Sequence, residues 1–158
     1  MIDKNKTDKL GSYLLVHNET IAIAESVTSG LLQFILGEAM DAEKFYQGGI
    51  TAYNLGQKYK YLNVEPVHAA SVNSVSQQVA EEMALQVANM FNSDWGIGAT
   101  GYATPVPESG NKRFSYFAIA YKGQIRSSGK LDCGEMPSMR AKEKYSEDII
   151  DELLRLMQ

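Results

Sequence analysis

The stretch Thr20-Ile-Ala-Ile-Ala-Glu-Ser-Val-Thr-Ser-Gly-Leu-Leu-Gln-Phe-Ile-Leu-Gly37 decides the fold of this chain. Its first residues, Thr20 to Ala24, form a short apolar run of the kind that makes a buried strand. From Ser29 to Gly37 the apolar side chains Leu31, Leu32, Ile35 and Leu36 recur at helical spacing, with Gly37 where a helix C-cap belongs. A turn of small polar residues separates the two. Strand, tight turn and helix in that order open a β-α-β arrangement, in which helices cover a largely parallel sheet.

Working outward, Asp3 to His17 carries Leu10, Tyr13, Leu14 and Leu15 on one stripe, a helix that Asn18 can end. Downstream, Tyr46 to Tyr53 is a second strand, and its Gly48-Gly49 pair marks a bulge or a close backbone approach. A helix from about Asn54 to Leu62 follows, and another from Ser76 through Val79, Met83 and Val87 to about Phe91. Asp94 to Thr100 is a third, apolar strand. The stretch Gly101 to Asn111, broken by Pro105, Pro107 and Gly110, is a loop. Phe114–Tyr121 and Gln124–Leu131 flank Lys122-Gly123 as a hairpin, and a helix from about Ser138 to Met157 ends the chain. The expected fold is a three-layer α/β/α sandwich with a mixed, mostly parallel sheet of about five strands. With no repeat and no Gly/Ser linker, residues 1–158 are expected to form one domain.

Composition removes several classes of function. At 44% hydrophobic and 22% charged residues over 158 positions, the chain is neither collagen-like nor disordered. Its net charge of −4, from 15 basic and 19 acidic residues, opposes a nucleic-acid partner, which clustered Lys and Arg would have to grip. The charged N-terminus and the short apolar runs, far below the ~20 residues of a membrane span, predict a cytoplasmic protein with no membrane partner. Cys133 is the only cysteine, so no intramolecular disulfide can form, and with only His17 and His68 beside it no Cys/His zinc site can be assembled. No metal or cofactor is expected.

In a sheet of this type ligands gather beyond the C-terminal strand ends. Three segments should meet there: Glu25-Ser-Val-Thr-Ser-Gly30, the neighbourhood of Tyr53, and Thr100-Gly-Tyr-Ala-Thr-Pro105. Ser26 lies at a strand-to-helix turn whose small hydroxyl residues and glycine leave backbone N–H groups free for a phosphate or an oxyanion. The plainer reading is that Ser26 or Thr28 only caps the helix. Neither histidine is placed to serve Ser26: His17 precedes the first strand and His68 lies in a connecting loop. The remaining bases are Lys or Glu. Lys58, five residues after Tyr53, can swing back toward the strand ends, and burial there would lower its pKa and make it a base near neutral pH. Alternatively Lys58 is a solvated surface charge and Tyr53 is packing. Gly96-Ile-Gly-Ala-Thr-Gly101 satisfies G-x-G-x-x-G but lies inside a strand, so it is not a dinucleotide site; Gly96 and Gly98 are better explained by close helix-on-sheet packing.

Four blocks in order, Ala24-Glu-Ser-Val-Thr-Ser-Gly-Leu-Leu32, Gly48-Gly-Ile-Thr-Ala-Tyr-Asn54 with Lys58, Val75-Ser-Gln-Gln-Val-Ala-Glu-Glu-Met-Ala84 and Thr100-Gly-Tyr-Ala-Thr-Pro105, resemble the CinA C-terminal domain family. The resemblance spans nearly the whole chain. It implies a three-layer α/β/α domain, a homo-oligomer, and a metal-independent amidohydrolase that converts nicotinamide mononucleotide to nicotinate mononucleotide and ammonia. On the matching positions it implies Ser26 as nucleophile and Lys58 as general base, supported by Tyr53 and Thr100. Glu25, Thr28, Ser29, Gly30 and Gly101 then belong to the substrate-holding turns, and Arg140 is a candidate for the phosphate. The implied chemistry is acyl transfer through an acyl-serine, with backbone N–H groups holding the oxyanion.

The sequence also departs from that pattern. Val27-Thr-Ser-Gly30 stands where the family has Cys-Thr-Gly-Gly, Arg113 stands about where a Gly enters the next strand, and Gly134-Glu-Met136 replaces Gly-Asp-Arg. A pyridine-nucleotide amidohydrolase is the first expectation. A ligand-binding or regulatory domain that keeps the fold without turnover is the alternative.

Overall fold

The computed structural model describes residues 3–158. The chain runs α1 (Lys4–His17), β1 (Ile21–Glu25), α2 (Leu31–Gly37), β2 (Tyr46–Thr51), α3 (Leu55–Leu62), α4 (Pro66–Ser71), α5 (Gln77–Met90), β3 (Trp95–Tyr102), β4 (Phe114–Tyr121), β5 (Gln124–Asp132) and α6 (Ser138–Leu156). The five strands form one sheet in the order β2-β1-β3-β4-β5. β1 pairs in parallel with β2 and β3, whereas β4 is antiparallel to both β3 and β5. Four strands therefore run the same way and β4 alone is reversed, a mixed and mostly parallel sheet as expected.

Alternation along the strands sorts the two faces by size. Ile21, Ile23, Ile97 and Ile119 point to one side, where Leu10 and Leu14 of α1, Leu32 and Leu36 of α2, and Ile149, Ile150 and Leu153 of α6 complete the larger core. Ala22, Ala24, Ala118 and Ala120 point to the other side, against α3, α4 and α5. Small residues on that face let α5 come close. A Cβ on Gly96 would stand 2.2 Å from the Ala84 carbonyl oxygen, and one on Gly98 would stand 2.2 Å from that of Ala80. The glycines serve packing, as the sequence suggests. Each fully buried Ile or Leu contributes about 1.5–3 kcal/mol, so the isoleucine face is strongly specified, while the alanine face is specified by how closely α5 approaches.

The differences from the sequence expectation are local. His68 is on a helix and not in a loop: Pro66 at the first position and the Glu65 carboxylate, which accepts from the N–H groups of Val67 and His68, start α4. α2 begins at Leu31 and not at Ser29, because Ser29 (φ 55) and Gly30 (φ 97) are both left-handed. β3 continues through Gly101 and Tyr102, which pair with Ser115 and Phe114.

Strand order 2-1-3 means that the chain leaves β1 toward one side and β3 toward the other. The crevice between their C-terminal ends is the usual ligand position in open α/β sheets. Ser26 follows β1 directly, and Thr100 and Gly101 lie at the end of β3.

Candidate active site

Ser26 extends the β1–β3 pairing by one residue, its N–H donating to the Ala99 carbonyl at 3.0 Å, before the chain turns away. That bond fixes the hydroxyl at the sheet edge. On the neighbouring side, the Asn54 side chain accepts from Gln57 N–H at 3.0 Å and caps α3, which brings Lys58 onto the second turn, facing inward. Lys58 is 2% exposed, and its Nζ donates to Ser26 Oγ at 2.9 Å. Among the described residues no carboxylate stands within ion-pair distance of Lys58. Burial alone lowers its pKa from the ordinary 10.5 to about 8.

Ser26 and Lys58 open into a cleft of about 510 Å³, within the usual range for small-molecule sites. Tyr53, Thr100 and Gly101 line it as well. Tyr53 is 64% exposed and stands at the rim as a largely free ring. Thr100 is buried, and its hydroxyl donates to the Ser74 carbonyl at 2.7 Å and not to Ser26 or Lys58. It thereby ties the end of β3 to the Asn73-Ser74 turn, two consecutive left-handed residues (φ 51 and 59) that also line the cleft. Asn73 donates from Nδ2 to the Tyr102 hydroxyl at 3.1 Å, a second tie across the same gap. Gly101 leaves no room for a side chain: a Cβ would lie 2.4 Å from the Phe114 carbonyl oxygen. Its identity is accounted for by β4.

The remaining expected substrate residues lie elsewhere. Glu25 is fully buried and takes the α2 N-terminus for itself. Its carboxylate accepts from Leu32 and Gln33 N–H, at 2.8 and 3.0 Å, and from the Thr28 hydroxyl at 2.6 Å. The end of α2 is thus already occupied by a carboxyl group of the chain itself, and Glu25, Thr28, Ser29 and Gly30 do not line the cleft. Among the described residues nothing accepts from the N–H groups of Val27 and Thr28, in the turn just after Ser26. Arg140 does not line the cleft either; its guanidinium donates to Glu143.

The sequence reading missed Lys142, which does line the cleft and donates to Ser29 Oγ at 2.8 Å. A signal for it exists. Arg140 and Lys144 each have a carboxylate three or four residues on, Glu143 and Asp148, and both pairs form. Lys142 has Tyr145 and Ser146 at those spacings, so its charge is left for another use.

Among the described residues no three His, Cys, Asp or Glu side chains gather to hold a metal ion, and no helix is long and apolar enough to cross a membrane.

The sequence profile of the CinA C-terminal domain matches residues 3–156. A CinA-like protein of Picosynechococcus sp. is 36% identical over 112 residues, 71% of this chain and 27% of that protein. One from Rippkaea orientalis is 32% identical over 133 residues, 84% of this chain and 31% of that protein. The chain therefore spans about three-tenths of the length of these curated relatives. Among solved structures, a competence or damage-inducible protein from Enterobacter asburiae superposes with a TM-score of 0.92 at 25% identity, covering 98% of each chain. A competence-damaged protein (CinA) superfamily protein from Escherichia coli superposes with a TM-score of 0.91 at 28% identity, covering 97% of this chain and 89% of that one.

Proposed function

The chain belongs to the CinA C-terminal domain family, and from that premise we propose that it is a metal-independent amidohydrolase of the nicotinamide mononucleotide deamidase type. The carrying observation is the 2.9 Å approach of a buried, ion-pair-free Lys58 amine to the Ser26 hydroxyl in an open cleft. A serine needs a base to become a nucleophile, and a lysine serves as one only where its neutral form is accessible. With a pKa near 8, about a tenth of Lys58 is neutral at pH 7.

In this reading neutral Lys58 accepts the Ser26 proton as Oγ attacks the carboxamide carbon. The unpartnered N–H groups of Val27 and Thr28 are the nearest donors in sequence for the developing oxyanion. Lys58 then returns the proton to the departing amine as the C–N bond breaks, giving ammonia and an acyl-serine. Water, deprotonated by Lys58, attacks the acyl carbon, releases the acid and regenerates Ser26. The exposed Tyr53 ring at the rim offers a face for the pyridine ring to stack on. Thr100 positions the Asn73-Ser74 wall of the cleft.

An ammonia-release assay on the purified chain tests the proposal, with nicotinamide mononucleotide and a panel of pyridine amides. Equal amounts of ammonia and acid are expected from the preferred amide, with a rate at least a thousandfold lower in Ser26→Ala. Turnover undiminished in Ser26→Ala would overturn the mechanism. A pyridine nucleotide that raises the melting temperature without being consumed would favour a binding domain instead.

A further inference from the structure

We propose that Lys142 is the anion anchor of this cleft and selects amide substrates that carry a phosphate group; the inference rests on the amidohydrolase reading above. Three observations lead to it. The chain is net negative, yet none of the residues lining the cleft is Asp or Glu, while two of them, Lys58 and Lys142, are lysines. A cleft with that lining attracts anions and repels none. Lys58 is committed to Ser26 at the base of the cleft. Lys142 is different, for its neighbours on α6 are neutralised, Arg140 by Glu143 and Lys144 by Asp148, whereas Lys142 pairs with no carboxylate among the described residues.

The resting partner of Lys142 is itself informative. Ser29 holds a left-handed backbone (φ 55), a conformation that side chains other than Gly adopt reluctantly, and its hydroxyl accepts from Lys142 Nζ at 2.8 Å. A neutral hydroxyl holds the ammonium in place without neutralising it. Ser29 stands behind Lys142 and not in the cleft lining, whereas Ser138, the first residue of α6, lines the cleft and offers its own hydroxyl there. One full positive charge accompanied by a hydroxyl donor suits a phosphate monoester, which offers several acceptor oxygens at once. The N-terminus of α2 does not compete for the phosphate, because the Glu25 carboxylate fills it. With the catalytic amine at the base and the anchor on α6, the amide points inward and the phosphate outward.

The test compares nicotinamide mononucleotide with nicotinamide riboside, which lacks the phosphate, in the wild-type chain and in Lys142→Gln. Glutamine keeps a donor for Ser29 and removes the charge. The ratio of kcat/KM for nucleotide over riboside is expected to fall about ten- to a hundredfold, mostly through KM for the nucleotide, with Lys142→Arg restoring most of it. An unchanged ratio, with both substrates still turned over in a Ser26-dependent way, overturns the anchor and leaves the amidohydrolase reading standing. If the wild-type chain releases no ammonia from either compound, that reading fails on its own, and calorimetry of the Ser26→Ala chain with nicotinamide mononucleotide decides the anchor. Binding weakened tenfold or more by adding Lys142→Gln supports it; no binding, or binding that the substitution leaves alone, overturns it.

Discussion

Replacing Lys58 by Met keeps an unbranched side chain one atom shorter and removes its charge, so it separates what this residue does for stability from what it does for chemistry. The folded pKa of about 8 lies some 2.5 units below the ordinary 10.5. At about 1.4 kcal/mol per unit, burying the protonated amine costs about 3 kcal/mol. The sign follows from linkage. Below pH 8 both folded and unfolded chains carry the proton and the full penalty applies. Between pH 8 and 10.5 the unfolded chain binds more protons than the folded one, and stability rises with pH. Above 10.5 both are neutral and the penalty is gone. Met escapes the penalty but forfeits the bond to Ser26 Oγ, about 1 kcal/mol. Lys58→Met should therefore stabilise the chain by about 2 kcal/mol at pH 6.5, a Tm gain of about 4–8 °C for a domain of this size. The gain should shrink steadily as pH is raised from 8 to 10.5, while ammonia release is lost at every pH. Urea unfolding of both proteins across that range reads the difference directly. A variant less stable than wild type at pH 6.5, or a difference that does not change with pH, would refute the claim that Lys58 is a desolvated cation.

Three more outcomes follow from the same geometry. The rate kcat/KM should climb about tenfold per pH unit below 8 and level off above it, as measured by ammonia release in overlapping buffers; a flat profile from pH 6 to 9 contradicts a lysine base. Gly98→Val would drive side-chain atoms into the Ala80 carbonyl, and it should lower stability by about 3 kcal/mol or abolish folding, read by urea unfolding. Thr100→Val, which leaves the Ser74 carbonyl without its donor, should cost about 1–3 kcal/mol in stability and reduce kcat/KM while leaving the pH midpoint of activity near 8.

Much of the architecture was legible because local pattern and tertiary structure agree. The alternation of Ile and Ala in β1 and the helical stripes of α1, α5 and α6 are set by residues close in sequence, and Gly96 and Gly98 announced a helix lying against the sheet. The six-residue α4 was not legible: it is too short to show a period, and its start depends on a Pro and a capping Glu that also suit a loop. The extra length of β3 comes from pairing with β4, in which Gly101 and Tyr102 meet Ser115 and Phe114, 14 and 12 positions away. At the site, Ser26 and Lys58 could be singled out by residue type and by the strand ends they follow. Glu25 could not be separated from them, since only the fold reveals that its carboxylate caps α2. Arg140 looked like the anion ligand on position alone, and its partner Glu143 takes it away from the cleft.

The protonation midpoint of Lys58 itself tests the central claim most directly. With lysines labelled at Cε, the Lys58 resonance, assigned by its absence in Lys58→Met, can be followed by carbon NMR from pH 6 to 11. A midpoint near 8, moving upward in a variant that opens the site to water, is the result this account predicts. A midpoint at or above the ordinary 10.5 would mean that the amine next to Ser26 keeps its proton at neutral pH and cannot take one from the hydroxyl.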